Sequence, residues 1–161
     1  MPRRRPNPAF NAIHFPAATR RALRGIRIGL GAVQSLSMAQ IVTAAAAAYG
    51  VDPSLAVAVA QRESGLNPNL VNPTSGAAGL MQLMPATFAS LGGTNIMDPT
   101  QNANAGVRYL GMMLAKYNGD ISLALSAYNA GEQRVDRDGK VPAIAETKNY
   151  VTDIMAKLPE K

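Results

Sequence analysis

The sequence predicts an all-α domain behind a basic arm, and three observations carry that prediction. Aspartate stands before each of three apolar runs, twice as an Asp-Pro pair, which is how a helix is capped and opened. Glycine closes those runs, as it does at helix ends that need a left-handed residue. No alternating apolar and polar stretch reaches strand length, and no segment repeats, which leaves helices as the layers of the core.

The elements follow in order. Met38 to Tyr49 is alanine-rich and stops at Gly50, a short helix with a glycine terminator. Asp52-Pro53 caps and starts a second helix, Ser54 to Glu63, which Gly65 closes. Residues 66–79 are rich in Asn, Pro, Gly and Ser and must be irregular, with room for a small β excursion. Pro85 opens a short helix through Leu91, stopped by Gly92-Gly93. Asp98-Pro99 repeats the opening signal, and Ala103, Val107, Leu110, Leu114 and Tyr117 mark one helical face up to Asn118-Gly119. Asp120 caps a helix through Ala130, with Gly131 as its stop. A polar loop then leads to a last helix over residues 143–158, with Thr147, Tyr150, Val151, Ile154 and Leu158 on one side.

A chain of 161 residues with 47% hydrophobic side chains builds one ordinary core plus an appendage. It has no cysteine, which excludes disulfides, thiolate metal sites and a thiol nucleophile without fixing the compartment. The net charge of +6 is unevenly spread. Seven arginines (3, 4, 5, 20, 21, 24 and 27) and no carboxylate precede Met38, whereas nine Lys/Arg face ten Asp/Glu from residue 39 onward. Residues 1–38 therefore form a basic arm and 39–161 a near-neutral domain. The arm admits three readings. It is a secretory signal built on Ile28 to Val33 with small residues at Ser37 and Ala39, a plain basic extension, or a tether to an anionic surface or a larger assembly. No stretch approaches the ~20 apolar residues of a membrane span. Nucleic-acid binding is disfavoured, since the arm offers only Phe10, Phe15 and His14 for stacking.

Glu63 is where chemistry is expected. It ends a helix whose face is otherwise alanine and valine, so the negative end of the helix dipole and apolar burial both oppose a second negative charge. Both raise a carboxyl pKa and give an acid that stays protonated near neutral pH. The plain alternative is a solvated helix-end glutamate paired with Arg62 or Arg134.

The residues around it choose between these. Glu63-Ser64-Gly65-Leu66-Asn67-Pro68, then Gly76-Ala77-Ala78-Gly79-Leu80-Met81-Gln82-Leu83-Met84-Pro85-Ala86-Thr87, then Ala127-Tyr128-Asn129-Ala130-Gly131, with a late Glu146-Thr147 and Tyr150, resemble the soluble lytic transglycosylases over about residues 40–158. The resemblance implies a lysozyme-like helical domain with Glu63 as catalytic acid and base. It implies glycan strands of peptidoglycan as substrate, cut at the β-1,4 bond after N-acetylmuramic acid without net uptake of water. Glu63 would protonate the glycosidic oxygen and then take the proton of the muramic C6 hydroxyl as that oxygen attacks C1, leaving a 1,6-anhydro end. An internal nucleophile would replace the second carboxylate of ordinary glycosidases, and no second carboxylate lies in the motif segments. The nearest candidates are the helix caps Asp52, Asp98 and Asp120.

The same resemblance gives Met81 and Gln82 as a cleft-wall pair, Met81 against a sugar face and Gln82 near the scissile bond. It gives Tyr128 and Asn129 as the tyrosine motif near the acid, and Tyr150 as a last-helix tyrosine directed at it. Gly76 and Gly79 would let backbone approach the sugar, or serve turn geometry alone. Relatives often carry a serine where this chain has Asn72, and Ser75 stands in the longer loop as the candidate contact to the substrate's acetamido group. No metal or other cofactor is expected, since no carboxylates cluster and His14, the only histidine, lies in the arm.

Two further functions stay open. One is a hydrolysing muramidase similar to goose-type lysozymes, and the other a non-catalytic glycan-binding or structural module. The expected setting is the cell envelope or periplasm, or a phage virion whose assembly the arm joins.

Overall fold

The computed structural model describes residues 36–159; the arm and its three readings lie outside the described residues apart from Leu36, Ser37 and Met38. Among the described residues seven helices are joined by loops: α1 (Met38–Tyr49), α2 (Pro53–Ser64), α3 (Pro85–Ser90), α4 (Pro99–Lys116), α5 (Ile121–Ala130), α6 (Glu132–Asp138) and α7 (Ala145–Met155). None is long and apolar enough to cross a membrane.

The helix starts are built from the capping chemistry read in the sequence. Ser37 and Gln40 bond reciprocally, side chain to backbone, at the head of α1. Asp52 accepts from the backbone N–H groups of Ser54 and Leu55, Asp98 from Gln101 and Asp120 from Leu123. Gly50 and Gly65 stop α1 and α2 in the left-handed conformation, at φ 65° and 64°.

The core forms where α1 lies across α4 and α2, while α5 bridges α4 to α7. Val42, Leu55, Val59, Leu80, Leu110, Leu125 and Ile154 are almost completely buried in one cluster, each worth about 1.5–3 kcal/mol relative to exposure. Ala46, Ala56, Ala60 and Ala103 are fully buried among them, so small side chains let the helices approach closely. A satellite cluster of Met113, Ala124, Ala127 and Val135 fastens α6 onto α4 and α5.

Two expectations need correction. The stretch after Gly131 is not a polar loop but contains α6. Its single apolar residue, Val135, is buried, and its acids Glu132 and Asp136 both bond Lys116 of α4, so tertiary contacts hold a helix that shows no apolar period. The last helix is shorter than residues 143–158: Ile144 is extended, and beyond Met155 the chain continues in turns. The segment between α2 and α3 is irregular, with isolated antiparallel bridges of Ala78 to Val71 and to Leu83.

Candidate active site

The loop between α2 and α3 is held against the helices by a few buried polar contacts, and these shape the site. Asn102 of α4 is fully buried; its amide oxygen accepts from Met81 N–H at 2.8 Å and its nitrogen donates to the carbonyls of Ala78 and Ile96 at 2.9 and 3.0 Å. Ser64 donates to the Leu80 carbonyl at 2.8 Å, and the Tyr128 hydroxyl to that of Met81 at 2.9 Å. Gln82, at φ 46°, donates to the carbonyls of Leu70 and Gly79. The loop is thereby fixed beside the C-terminal end of α2.

A cavity of about 410 Å³ opens between that loop and helices α2, α5 and α7. Glu63 and Arg62 reach it from α2, Tyr128 and Asn129 from α5, and Glu146 and Tyr150 from α7. Asn72, Ser75, Ala77, Gln82 and Met84 supply the loop wall. Asn129 accepts from the buried Thr147 hydroxyl at 2.9 Å, tying α5 to α7 at the rim. Asn72 accepts from the N–H groups of Thr74 and Ser75, and Ser75 from Ala77, so these side chains shape the turn they sit in.

Glu63 is half-buried, and its pKa is pushed up from 4.5 to about 7. Burial is the main cause. The Tyr150 hydrogen bond and the Arg62 charge oppose it, and the Glu146 charge reinforces it. Tyr150 donates to Glu63 Oε1 at 2.6 Å, which leaves Oε2 to carry the exchangeable proton. Glu63 pairs with neither Arg62 nor Arg134. Arg62 Nε instead bonds Asp153 at 3.2 Å, with its guanidinium 5.6 Å from the centre of the Tyr150 ring. Burial and the nearby Glu63 charge hold the Tyr128 and Tyr150 phenols well above their ordinary range, as neutral donors. Such a site can give a proton to a substrate oxygen and take one back near neutral pH.

Of the sequence-predicted residues, Glu63, Ser75, Gln82, Tyr128, Asn129 and Tyr150 line this one cavity, and Met81 does not. Met81 is fully buried, its side chain packed against α4 at Gly106. A cleft-wall role for Met81 is therefore corrected: the methionine on the wall is Met84, 46% exposed at the head of α3. Gly79 answers to internal packing, since a Cβ there would meet the Asn102 amide nitrogen at 2.2 Å. The helix caps Asp52, Asp98 and Asp120 are engaged with their own helices, and the second carboxylate at the cavity is Glu146. Its place next to Tyr150, one helical turn on, was the signal that could have found it. Among the described residues no three His, Cys, Asp or Glu side chains come together as a metal site.

Residues 40–151 match the family model described as Transglycosylase SLT domain. The chain is 43% identical over 116 residues to the transglycosylase of Enterobacteria phage PRD1, a match covering 72% of this chain and 41% of that protein. It is 33% identical over 131 residues to the soluble lytic murein transglycosylase of Escherichia coli K12, covering 66% of this chain and 20% of that one. Among solved structures, an inactive mutant of the lytic transglycosylase Slt from Pseudomonas aeruginosa is similar with a TM-score of 0.66 at 27% identity, over 73% of this chain and 22% of that one. The 70 kDa soluble lytic transglycosylase of Escherichia coli gives 0.65 at 28%, over 73% and 22%. This chain thus spans about two fifths of the phage relative and about a fifth of the bacterial ones.

Proposed function

The chain belongs to the transglycosylase SLT domain family, and on that premise we propose that it is a peptidoglycan lytic transglycosylase with Glu63 as its acid and base. The observation that carries this reading is a half-buried carboxyl with its pKa near 7, held on one oxygen by Tyr150 at the wall of a cavity.

The reaction balances without water. Glu63 Oε2 gives its proton to the oxygen linking muramic C1 to the next sugar. The C1–O bond breaks with its electron pair on that oxygen, and positive charge develops at C1. The Glu63 carboxylate then accepts the proton of the muramic C6 hydroxyl as O6 bonds to C1, which closes the 1,6-anhydro ring and restores the protonated acid. A pKa near operating pH serves both halves, because one group must donate and then accept. Ser75 and Asn129 offer polar contacts to the sugars, Gln82 its side-chain oxygen, and Met84 an apolar wall.

The setting follows from the substrate. The protein acts at the peptidoglycan layer, either in the cell envelope or carried in a virion, and the basic arm tethers it to the anionic wall or to an assembly.

Mass spectrometry of digested cell walls tests the reaction. Wild type is expected to leave ends one water lighter than reducing ends, and Glu63→Gln to lose at least about a hundred-fold in rate. Reducing ends would make the protein a hydrolysing muramidase with Glu146 as the candidate second carboxylate. Undiminished cleavage by Glu63→Gln would leave it a binding module.

A further inference from the structure

The cavity at Glu63 does not end at Tyr128. Gln82, Met84, Tyr128 and Asn129 also line a second cavity of about 300 Å³, which runs along α5 to Tyr109. Tyr109, Ala130 and Gly131 in turn line a third of about 570 Å³, whose far wall holds Arg134 and Arg137 of α6. Shared walls make the three a single groove, floored midway by the Tyr109 and Tyr128 rings with centres 5.3 Å apart.

Among the charged side chains lining the far end, arginines outnumber acids two to one. Arg134 and Arg137 are three residues apart on α6, so they share one face of that helix. Arg134 makes no ion pair among the described residues, and Arg137 is 70% exposed with only its neighbour Asp138 as partner. The acid on the same wall, Glu132, is engaged by Lys116 at 2.8 Å. Two exposed guanidinium groups at the end of a groove present forked donors that fit carboxylates.

We propose that Arg134 and Arg137 form a subsite for the carboxylates of the peptide stems on peptidoglycan, at the end of the groove that begins at Glu63. This rests on the reading of the protein as a peptidoglycan-cleaving enzyme. A strand lying along the tyrosine floor with one linkage at Glu63 carries its stem carboxylates toward α6. The arginines then favour strands that keep charged stems over strands whose stems are neutral.

The test compares intact sacculi with sacculi whose stem carboxyls have been converted to methylamides by carbodiimide and methylamine. The readout is the initial rate of release of muropeptides with anhydro ends. Wild type is expected to cut untreated sacculi about five-fold faster, the scale of a partly exposed charge-assisted contact. The Arg134→Gln/Arg137→Gln variant is expected to show a clearly smaller preference, no more than the basic arm supplies, with a thermal midpoint like wild type. The comparison between variants removes the contribution of the basic arm, which both proteins keep. Equal rates for wild type, or a preference as large in the double variant as in wild type, would overturn the subsite and leave the enzyme reading intact. If folded wild type releases nothing from either substrate, the enzyme reading fails and the subsite with it.

Discussion

At the scale of residues, three side chains adjust the strength of one buried acid, and their signs differ. Tyr150 and Arg62 lower the Glu63 pKa while Glu146 raises it. An acid that works protonated loses rate as pH climbs through its pKa, about 7 here. Tyr150→Phe or Arg62→Gln therefore moves the alkaline limb of the pH–rate profile upward, and Glu146→Gln moves it downward, read from kcat on cell walls across pH 5 to 9. A common direction for all three would mean that these charges do not act through Glu63. Stability carries the same information with its own sign. Below pH 4.5 the carboxyl is protonated folded and unfolded, and contributes nothing. Between 4.5 and 7 the folded protein holds the proton more tightly, so stability falls as pH rises, and above 7 the ionised buried group is a constant cost. Glu63→Gln removes that cost, so it should stabilise the protein by up to about 3 kcal/mol at pH 8 and by almost nothing at pH 4. Urea melts at the two pH values check this, and equal effects at both would contradict the raised pKa.

At the scale of elements, the site depends on how α4 holds the loop between α2 and α3. Asn102 satisfies one N–H and two carbonyls of buried or half-buried backbone. Asn102→Ala strands all three and should cost about 2–5 kcal/mol in chemical denaturation, with loss of activity as the cavity wall loosens. Gly106 faces the same loop from α4: a Cβ there would lie 2.4 Å from the Met81 Cβ. Gly106→Ala gains about 1 kcal/mol of helix propensity, yet overpacking against Met81 should leave it destabilised by about 1–3 kcal/mol. A more stable Gly106→Ala protein would show that the loop yields freely. These two residues also mark where the sequence was legible. Helix starts at Asp52, Asp98 and Asp120 are local signals, and the chain obeys them. By contrast α6, with five charges among seven residues, is held by Lys116 and the Val135 contact, both made far along the chain. Met81 and Met84 sit three positions apart in one irregular loop. Long-range contacts of Asn102, Tyr128 and Ser64 with the loop backbone hold the first in the core, and the second faces the cleft. Glu146 shares a face of α7 with Tyr150, a local pattern, but that this face meets the cavity is set by the packing of α7.

At the scale of the whole molecule, charge is divided between two parts of the chain. Seven arginines precede residue 39, and from there onward the acids outnumber the bases by one. If the protein works at an anionic cell wall as proposed, its attraction to that wall is expected to come mainly from the arm, with Arg134 and Arg137 adding a smaller contribution at the groove. Such attraction is screened as the Debye length falls from about 10 Å at 0.1 M salt to about 3 Å at 1 M, whereas hydrogen bonding and stacking in a cleft depend on salt far less. Replacing all seven arm arginines by glutamine leaves chain length and the sequence of residues 39–161 unaltered, and it removes the charge of the arm. Co-sedimentation with purified sacculi in rising salt is expected to show steep loss of binding for wild type. For the glutamine variant it should be weaker but nearly salt-independent. Cleavage of short, soluble muropeptide oligomers, which present little anionic surface, should be alike in both. Retained salt-sensitive binding in the glutamine variant would move the wall-binding charge to the folded domain, whose near balance of acids and bases gives it little to attract with.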